Sequence, residues 1–146
     1  MKVGGFNMTI PFAGFLARAC AFLIAAAMAG QGSAADNVWQ GTYYSNARSQ
    51  EVAVRLTLPS DAKPGELRFV TLACAVGLQP EPAGPTGAAV YLIQPREDAA
   101  GPYCGGWLGG RLETRSLDGG RRLQITVTRG KSKIEINNLV PASGLR

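Results

Sequence analysis

Short segments of alternating apolar and polar residues, each ended by a cluster of turn-forming residues, recur along this chain from residue 36 onward. A period of two residues is typical of a β-strand with one buried face, because successive side chains point to opposite faces. In the clearest segment, 52–58, the buried face is predicted to carry Val52, Val54, Leu56 and Leu58. No segment beyond residue 36 has the period of an amphipathic helix. The pattern therefore predicts an all-β protein.

About seven short strands are predicted, at 38–44, 52–58, 66–74, 88–94, 107–115, 122–128 and 132–137. Turns between them are marked by Pro64-Gly65 and by Asp118-Gly119-Gly120. An open sheet of this size would leave unpaired edges. We therefore predict a small antiparallel meander that closes into a barrel, with a sandwich as the alternative. At 146 residues the chain has room for one such domain, predicted at 36–140 and followed by a disordered tail at 141–146.

Two regions break the strand pattern. Alternation is lost beyond Val70, which predicts either a β-bulge or a strand end that is covered on both faces near Cys74. Residues 79–87 contain three prolines, and proline cannot donate a backbone hydrogen bond. We therefore predict a surface loop at 79–87.

Residues 1–35 have the composition of a secretory signal peptide. A positively charged start leads into the apolar run 19–30, and small residues follow it. Cleavage is predicted after Ala34 or Ala35. The apolar run is shorter than the about 20 residues that a transmembrane helix requires, so no stable membrane anchor is expected after cleavage. We therefore expect a periplasmic or secreted protein.

Three cysteines are present, and Cys20 lies within the predicted signal peptide. Lipidation of Cys20 is not expected, because Arg18 lies just before it and the apolar run follows it instead of preceding it. The mature chain then keeps Cys74 and Cys104, which lack the C-x-x-C spacing of redox-active thiols. In an exported domain, two cysteines most simply form one structural disulfide. We therefore predict that Cys74 pairs with Cys104.

The sequence contains no histidine. Ser-His-Asp triads, Cys-His pairs, histidine general bases and histidine-containing zinc sites are therefore excluded. Paired carboxylates could still serve a glycosidase, but the adjacent pair is Glu97-Asp98, in a proline-flanked loop that is typical of solvated surface. We predict a protein that is not an enzyme, with no catalytic residues, no metal ligands and no cofactors.

Positive charge is concentrated in the second half of the mature chain. Residues 36–104 carry five basic and seven acidic side chains, whereas residues 105–146 carry eight basic and three acidic ones. On the outward phase of three consecutive predicted strands lie Arg111, Arg115, Arg122 and Lys133. This basic face is either a binding site for an anionic partner or a solvated surface that keeps the protein soluble. Nucleic acid is not expected, because no aromatic residue follows Trp107 to stack on bases.

Two aromatic residues, Tyr103 and Trp107, flank Cys104 in a glycine-rich stretch. They have two interpretations. They pack in the core, or they are partly exposed recognition residues on a loop that the disulfide holds rigid, which would present them at low entropic cost.

The mature chain begins with Trp39-Gln-Gly41-Thr-Tyr43 and later carries Cys74 at a strand end and Gly101-Pro-Tyr-Cys104 before another strand. This pattern resembles small uncharacterised periplasmic β proteins with a W-x-G-x-Y start. By architecture alone, the chain is also similar to bacterial periplasmic lysozyme inhibitors, which are compact disulfide-bonded β-barrels that insert a loop into an enzyme's cleft. Tyr44 and its neighbours stand where those inhibitors carry an early cysteine, so no inhibitory residue is transferred.

Together these observations lead us to expect a non-enzymatic periplasmic binding protein whose partner is an envelope protein or an anionic envelope polymer. Inhibition of a cell-wall-degrading enzyme is the leading hypothesis, with Tyr103 and Trp107 as contact residues. The alternative is a structural envelope component that docks through the basic face.

Overall fold

The computed structural model of this protein describes residues 37–61, 63–97 and 101–142. These residues form eight β-strands and one short α-helix: β1 (Val38–Ser45), β2 (Gln50–Thr57), β3 (Gly65–Phe69), β4 (Cys74–Glu81), β5 (Ala89–Gln94), α1 (Pro102–Gly105), β6 (Arg111–Leu117), β7 (Arg122–Arg129) and β8 (Ser132–Pro141). Consecutive strands pair antiparallel, and β8 pairs with β1, so that the sheet closes into a barrel. The predicted all-β meander and its closure into a barrel are confirmed. The predicted signal peptide, 1–35, lies outside the described residues.

Residues 66–74 were predicted to form one strand. They instead contain most of β3, a turn and the first residue of β4, and this hairpin accounts for the eighth strand. Strand β3 ends at Phe69, a 3-10 turn spans Val70–Leu72, and β4 begins at Cys74. Ala73 closes the turn in a left-handed conformation, with φ of 50°. The loss of alternation beyond Val70 therefore marks a reversal of the chain, and neither a bulge nor a doubly covered strand end.

The predicted loop at 79–87 is also partly wrong, because β4 continues to Glu81. Within this extension Pro80 lies opposite Tyr91 of β5. On its other side β4 pairs with β3 only as far as Leu78, opposite Gly65. Pro80 therefore borders a single strand, and its missing N–H interrupts no ladder between β3 and β4.

The interior of the barrel is filled by the apolar side chains of the alternating pattern. The inward positions predicted for 52–58 are correct at Val52, Val54 and Leu56, which are almost fully buried. The largest fully buried side chains come from β2, β3 and β5 to β8 and are Phe69, Leu56, Leu67, Ile93, Leu112, Ile125, Ile136 and Leu139. Burial of this apolar surface is the main favourable contribution to folding.

Strand β8 is longer than the predicted segment 132–137, and its extension closes the barrel. An extra residue enters β8 between Ile136, opposite Ile125, and Leu139, opposite Leu123. Such a bulge bends and twists the strand that carries it. Beyond it, β8 pairs with β1 at Gln40–Val140 and Trp39–Pro141. Pro141, predicted as the first tail residue, is thus the last residue of β8, and 143–146 lie outside the described residues.

The antiparallel meander places alternate connections at the same end of the barrel. The connections β1–β2, β3–β4, β5–β6 and β7–β8 share one end, which carries both cysteines and is called the disulfide end here. The strand predicted at 107–115 begins at Arg111 instead, because the residues before it fold into α1 and a following turn. The β5–β6 connection therefore covers the disulfide end.

Candidate partner-binding site

The disulfide joins α1 to the first residue of β4. Cys104 and Cys74 are bonded, with their Cα atoms 6.1 Å apart, and both are 2% exposed. Pro102 occupies the first turn of α1, where its missing N–H costs no helical hydrogen bond. The predicted disulfide is confirmed, and it ties the β5–β6 connection to the wall of the barrel.

Hydrogen bonds to β5 and β7 also hold the β5–β6 connection in place. Arg129, the last residue of β7, donates through Nη1 to the carbonyl oxygens of Gly105 and Gly106, at 3.3 and 2.7 Å. The backbone N–H of Gly109 donates to the carbonyl of Ile93 on β5, at 2.9 Å. The connection between β5 and β6 is thus fixed by β4, β5 and β7 together.

Four aromatic side chains, here called the aromatic cluster, pack beneath this connection: Tyr43, Phe69, Tyr103 and Trp107. Phe69 lies at the centre, with ring centroids 6.4 Å from Tyr43 and 5.1 Å from Tyr103. Trp107 extends the cluster at 6.4 Å from Tyr103. Each pair has an edge-to-face arrangement, which aromatic rings prefer over a face-to-face stack.

The polar ends of the cluster are also engaged. The hydroxyl groups of Tyr43 and Tyr103 form a hydrogen bond. Burial, together with this hydrogen bond, raises the pKa of the Tyr43 hydroxyl well above its usual value, although Arg48 partly opposes the shift. The guanidinium of Arg48 lies over the ring of Tyr103, 5.1 Å from its centroid, within the range of a cation–π interaction. Tyr43 therefore stays protonated at physiological pH and serves as a fixed hydrogen-bonding group.

An open cleft of about 520 Å³ lies beside the aromatic cluster, between the β1–β2 connection and the start of β8. Tyr44 lines it and is 62% exposed, more than any other large hydrophobic side chain in the described residues. The cleft is lined by Tyr43, Tyr44, Ser45, Asn46, Ala47, Tyr103, Trp107, Ser132, Lys133, Ile134 and Glu135. A surface with this mixture of aromatic, hydroxyl and charged groups is suited to contact a protein or a glycan.

The structure treats the two predicted contact residues differently. Tyr103 is half-buried and lines the cleft, so it remains available for contact. Trp107 also lines the cleft, but it is 8% exposed and belongs to the core, as in the first of the two interpretations given above. The buried ring of Trp107 packs edge-to-face against the ring of Tyr103.

The predicted basic face exists as a surface, since β6, β7 and β8 are neighbours and its four residues are exposed. Three of these residues are ion-paired, as Arg111–Glu81, Arg122–Asp118 and Lys133–Glu135. Arg115 alone among the four forms no ion pair with a described residue. The face is therefore mixed in sign, which weakens its attraction for anions.

Tyr44 and Arg48 were missed as candidates in the sequence. The signal for Tyr44 was present, because a strand with Trp39 and Tyr43 facing inward must turn Tyr44 outward. Nothing in the sequence marks Arg48, which reaches Tyr103 only because the β1–β2 connection and the β5–β6 connection share one end of the barrel.

The described residues offer no other chemical centre of the kinds considered above. Glu97 is exposed, and Asp98 lies outside the described residues. No group of three or more metal-ligating side chains occurs in the described parts of the chain. The same parts contain no helix that is long and apolar enough to cross a membrane. Comparison of the chain with protein-family models, curated proteins and solved structures finds no match.

Proposed function

We propose that this protein is a non-enzymatic periplasmic binding protein, and that its disulfide end contacts an envelope protein. The observation that carries the proposal is the rigid aromatic cluster beneath an open cleft at that end. Because the disulfide, Arg129 and the Tyr43–Tyr103 hydrogen bond already fix the surrounding backbone and side chains, binding would order few additional groups.

The exposed residues at this end are of the types that dominate protein interfaces. Tyrosine, tryptophan and arginine are enriched among the residues that contribute most to binding energy. Tyr44 and Arg48 are exposed at the disulfide end, beside the half-buried Tyr103. The chain thus presents two tyrosines and one arginine from elements that the fold holds in place.

We further propose that the partner is a cell-wall-degrading enzyme that this protein inhibits. The resemblance in architecture to the periplasmic lysozyme inhibitors supports this choice, because those barrels insert a loop into an enzyme's cleft. The short β1–β2 connection, 46–49, is exposed next to Tyr44 and is the segment that would enter an enzyme's cleft.

The test is affinity capture from an envelope lysate, at low and at high salt, followed by mass spectrometry. We expect one hydrolase to be retained at both salt concentrations and to lose activity when the purified protein is added. Retention of many envelope components that salt removes would instead favour docking through Arg111, Arg115, Arg122 and Lys133, because salt screens exposed charges. An empty column at both concentrations would contradict both functions.

A matched pair of variants locates the contact. Tyr44→Ala is expected to weaken binding by at least about tenfold, the loss typical of an interface aromatic. Val70→Ala is the control, since Val70 is also a large hydrophobic residue, is 51% exposed, lies in the β3–β4 connection at the same end, and does not line the cleft. Equal affinity of both variants for the captured enzyme would mean that the cleft lined by Tyr44 is not the contact surface.

A further inference from the structure

Two arginines lie directly opposite each other on the outer wall of the barrel. Arg55 of β2 pairs in register with Arg68 of β3. Directly opposed side chains on neighbouring strands have their Cβ atoms about 5 Å apart, and like charges in that position destabilise a sheet. The register of β2 and β3 therefore brings two positive charges close together on the sheet.

The nearby carboxylate of Glu66 offsets only part of this positive charge. Glu66 is bound by Arg68, from Nε to Oε1 at 2.7 Å, and by Arg96, from Nη1 to Oε2 at 2.6 Å. Each oxygen of Glu66 thus already accepts a hydrogen bond from a guanidinium group. Arg55 forms no ion pair with a described residue. Glu66 therefore holds Arg68 and Arg96 in place, and no described carboxylate pairs with Arg55.

These side chains line a groove of about 460 Å³ that extends under the β2–β3 connection. A fourth basic residue, Lys63, reaches the groove from that connection, where paired backbone hydrogen bonds with Ser60, at 2.9 and 3.2 Å, fix its backbone. The remaining lining residues are uncharged apart from Glu66 and are Asn37, Val38, Thr57, Leu58, Ser60 and Pro64. Four basic side chains thus surround one carboxylate in a single groove.

We propose that this groove is a binding site for a phosphate-class oxyanion. A ligand with several negative oxygens placed between Arg55 and Arg68 would remove their repulsion. Guanidinium groups match the geometry of phosphate oxygens and bind them through two parallel hydrogen bonds. Lys63 adds a mobile positive charge, and the hydroxyl groups of Thr57 and Ser60 add uncharged donors.

The groove is separate from the cleft of the proposed function. It lies beside the β2–β3 connection, at the end of the barrel opposite the disulfide end. The net charge of the segment 36–104 did not indicate this groove, because the segment carries more acidic than basic side chains. Four of the five basic residues in that segment nevertheless line this one groove. Its ligand is therefore independent of whether the disulfide end binds an enzyme.

The experiment is a calorimetric titration of the purified protein with inorganic pyrophosphate at constant ionic strength. We expect saturable binding that Arg55→Gln and Arg68→Gln each weaken by about tenfold, the effect of one lost hydrogen bond between charged groups. Arg121→Gln is the control, because Arg121 is an exposed arginine of the β6–β7 turn and does not line the groove. Absence of saturable binding, or equal weakening by Arg121→Gln, would overturn the proposal.

A fold measurement accompanies the titration. Arg55→Gln is expected to unfold at the same urea concentration as the parent protein or at a higher one, because the substitution relieves the opposed charges. A lower midpoint would mean that Arg55 stabilises the sheet, and would overturn the argument from repulsion.

A second arm identifies the source of the phosphate. Vesicles of phosphatidylglycerol and phosphatidylcholine are mixed with the protein and floated, with and without pyrophosphate. Flotation that pyrophosphate abolishes would support a lipid headgroup as the ligand. Pyrophosphate binding without flotation would support a soluble phosphate compound. Flotation that is equal for Arg55→Gln and the parent protein would contradict the assignment of the groove.

Discussion

Gly110 lies where the β5–β6 connection meets the end of β7, at a point with no room for a side chain. A Cβ atom at residue 110 would lie 2.4 Å from the carbonyl oxygen of Thr128 and 2.9 Å from that of Trp107. Both are backbone atoms, so relief of the clash requires the two segments to separate. This residue lets the connection approach the barrel closely enough for the disulfide end to be covered.

Gly110→Ala is therefore expected to lower the free energy of unfolding by about 1–3 kcal/mol, the usual cost of forcing extra atoms into a packed site. Urea unfolding followed by circular dichroism measures it. Gly105→Ala is the control, since a Cβ there meets no atom within 4 Å. If the two variants were equally stable, the close packing of Gly110 against the backbone of Thr128 would not contribute to the free energy of unfolding.

The raised pKa of Tyr43 predicts how stability depends on alkaline pH. Burial and the hydrogen bond with Tyr103 raise the pKa of Tyr43 in the folded state above the value of about 10 that it has when unfolded. The resulting stability is complete below about pH 10 and is lost as the pH rises toward the folded-state pKa. Tyr43→Phe should therefore make the decline in unfolding free energy above about pH 10 shallower.

The pH profile of Tyr43→Phe is measured by urea unfolding at a series of alkaline pH values. Burial also raises the pKa of Tyr91, so part of the decline should persist in Tyr43→Phe and diminish further in the double variant with Tyr91→Phe. Profiles of Tyr43→Phe and the parent protein that run parallel would contradict the role given to the buried hydroxyl.

Among the elements, strands with strict alternation could be read from the sequence, and the hairpin of β3 and β4 could not. Its turn, Val70–Leu72 with Ala73, contains no glycine, proline or asparagine, the residues by which turns are usually predicted. Because apolar residues lie on both sides of this turn, the segment 66–74 was predicted as one continuous strand. Pro80 led to the opposite error, a loop predicted where β4 continues. A proline fits in β4 at this position because the pairing with β3 stops at Leu78, and the sequence alone does not show where that pairing stops.

The candidate site was predictable only in its covalent part. Cys74 and Cys104 could be paired from the sequence because they are the two cysteines outside the predicted signal peptide. The contact of Tyr43 with Tyr103 joins residues 60 positions apart, and it depends on strand register. The ion pair of Arg111 with Glu81 likewise joins separate strands, so that counting charges along the sequence overestimated the basic face.

The short helix α1 depends on the disulfide more than on its own hydrogen bonds, since it spans four residues. Closing the chain between cysteines 30 residues apart contributes about 3–4 kcal/mol through reduced entropy of the unfolded chain. Replacing both Cys74 and Cys104 by alanine is therefore expected to cost about that much stability. The strands should persist, because most of the core lies below the disulfide end.

Fluorescence separates the local effect of this substitution from global unfolding. The chain has two tryptophans, so a Trp39→Phe background isolates the emission of Trp107, which is 8% exposed. Loss of the disulfide should shift that emission to longer wavelength and increase quenching by acrylamide, while far-ultraviolet circular dichroism stays unchanged. Unchanged emission would show that Arg129 and the aromatic cluster hold the connection without the disulfide.

For the molecule as a whole, the closed barrel has an interior filled by apolar side chains, so a partner can contact only its outer surface and its ends. The inward faces of the strands are occupied mainly by buried apolar side chains, and the charged side chains of the described residues are not among the buried ones. The disulfide end and the arginine groove beside the β2–β3 connection are therefore separate surfaces, and each is proposed here as a binding site. Both depend on the sheet keeping its curvature, which the pairing of β8 with β1 maintains.

That pairing is the shortest in the barrel, with register partners only at Trp39–Pro141 and Gln40–Val140 among the described residues. A chain ending at Leu139 loses both pairs, whereas a chain ending at Ala142 keeps them. We expect the shorter chain to be less stable by about 1–3 kcal/mol, the value of a few backbone hydrogen bonds. It should also expose the edges of β1 and β8, which promotes association between molecules.

Urea unfolding compares the stability of the two chains, and hydrogen exchange reports the seam directly. Amide protons of β1 and β8 should exchange faster in the chain ending at Leu139, while those of β6 and β7 keep their protection, because each of these strands retains both neighbours. Equal stability and equal protection of β1 in the two chains would mean that the bulge and core of β8 hold the barrel closed without residues 140–142. Faster exchange confined to β1 and β8 would identify this seam as the place where the barrel first opens.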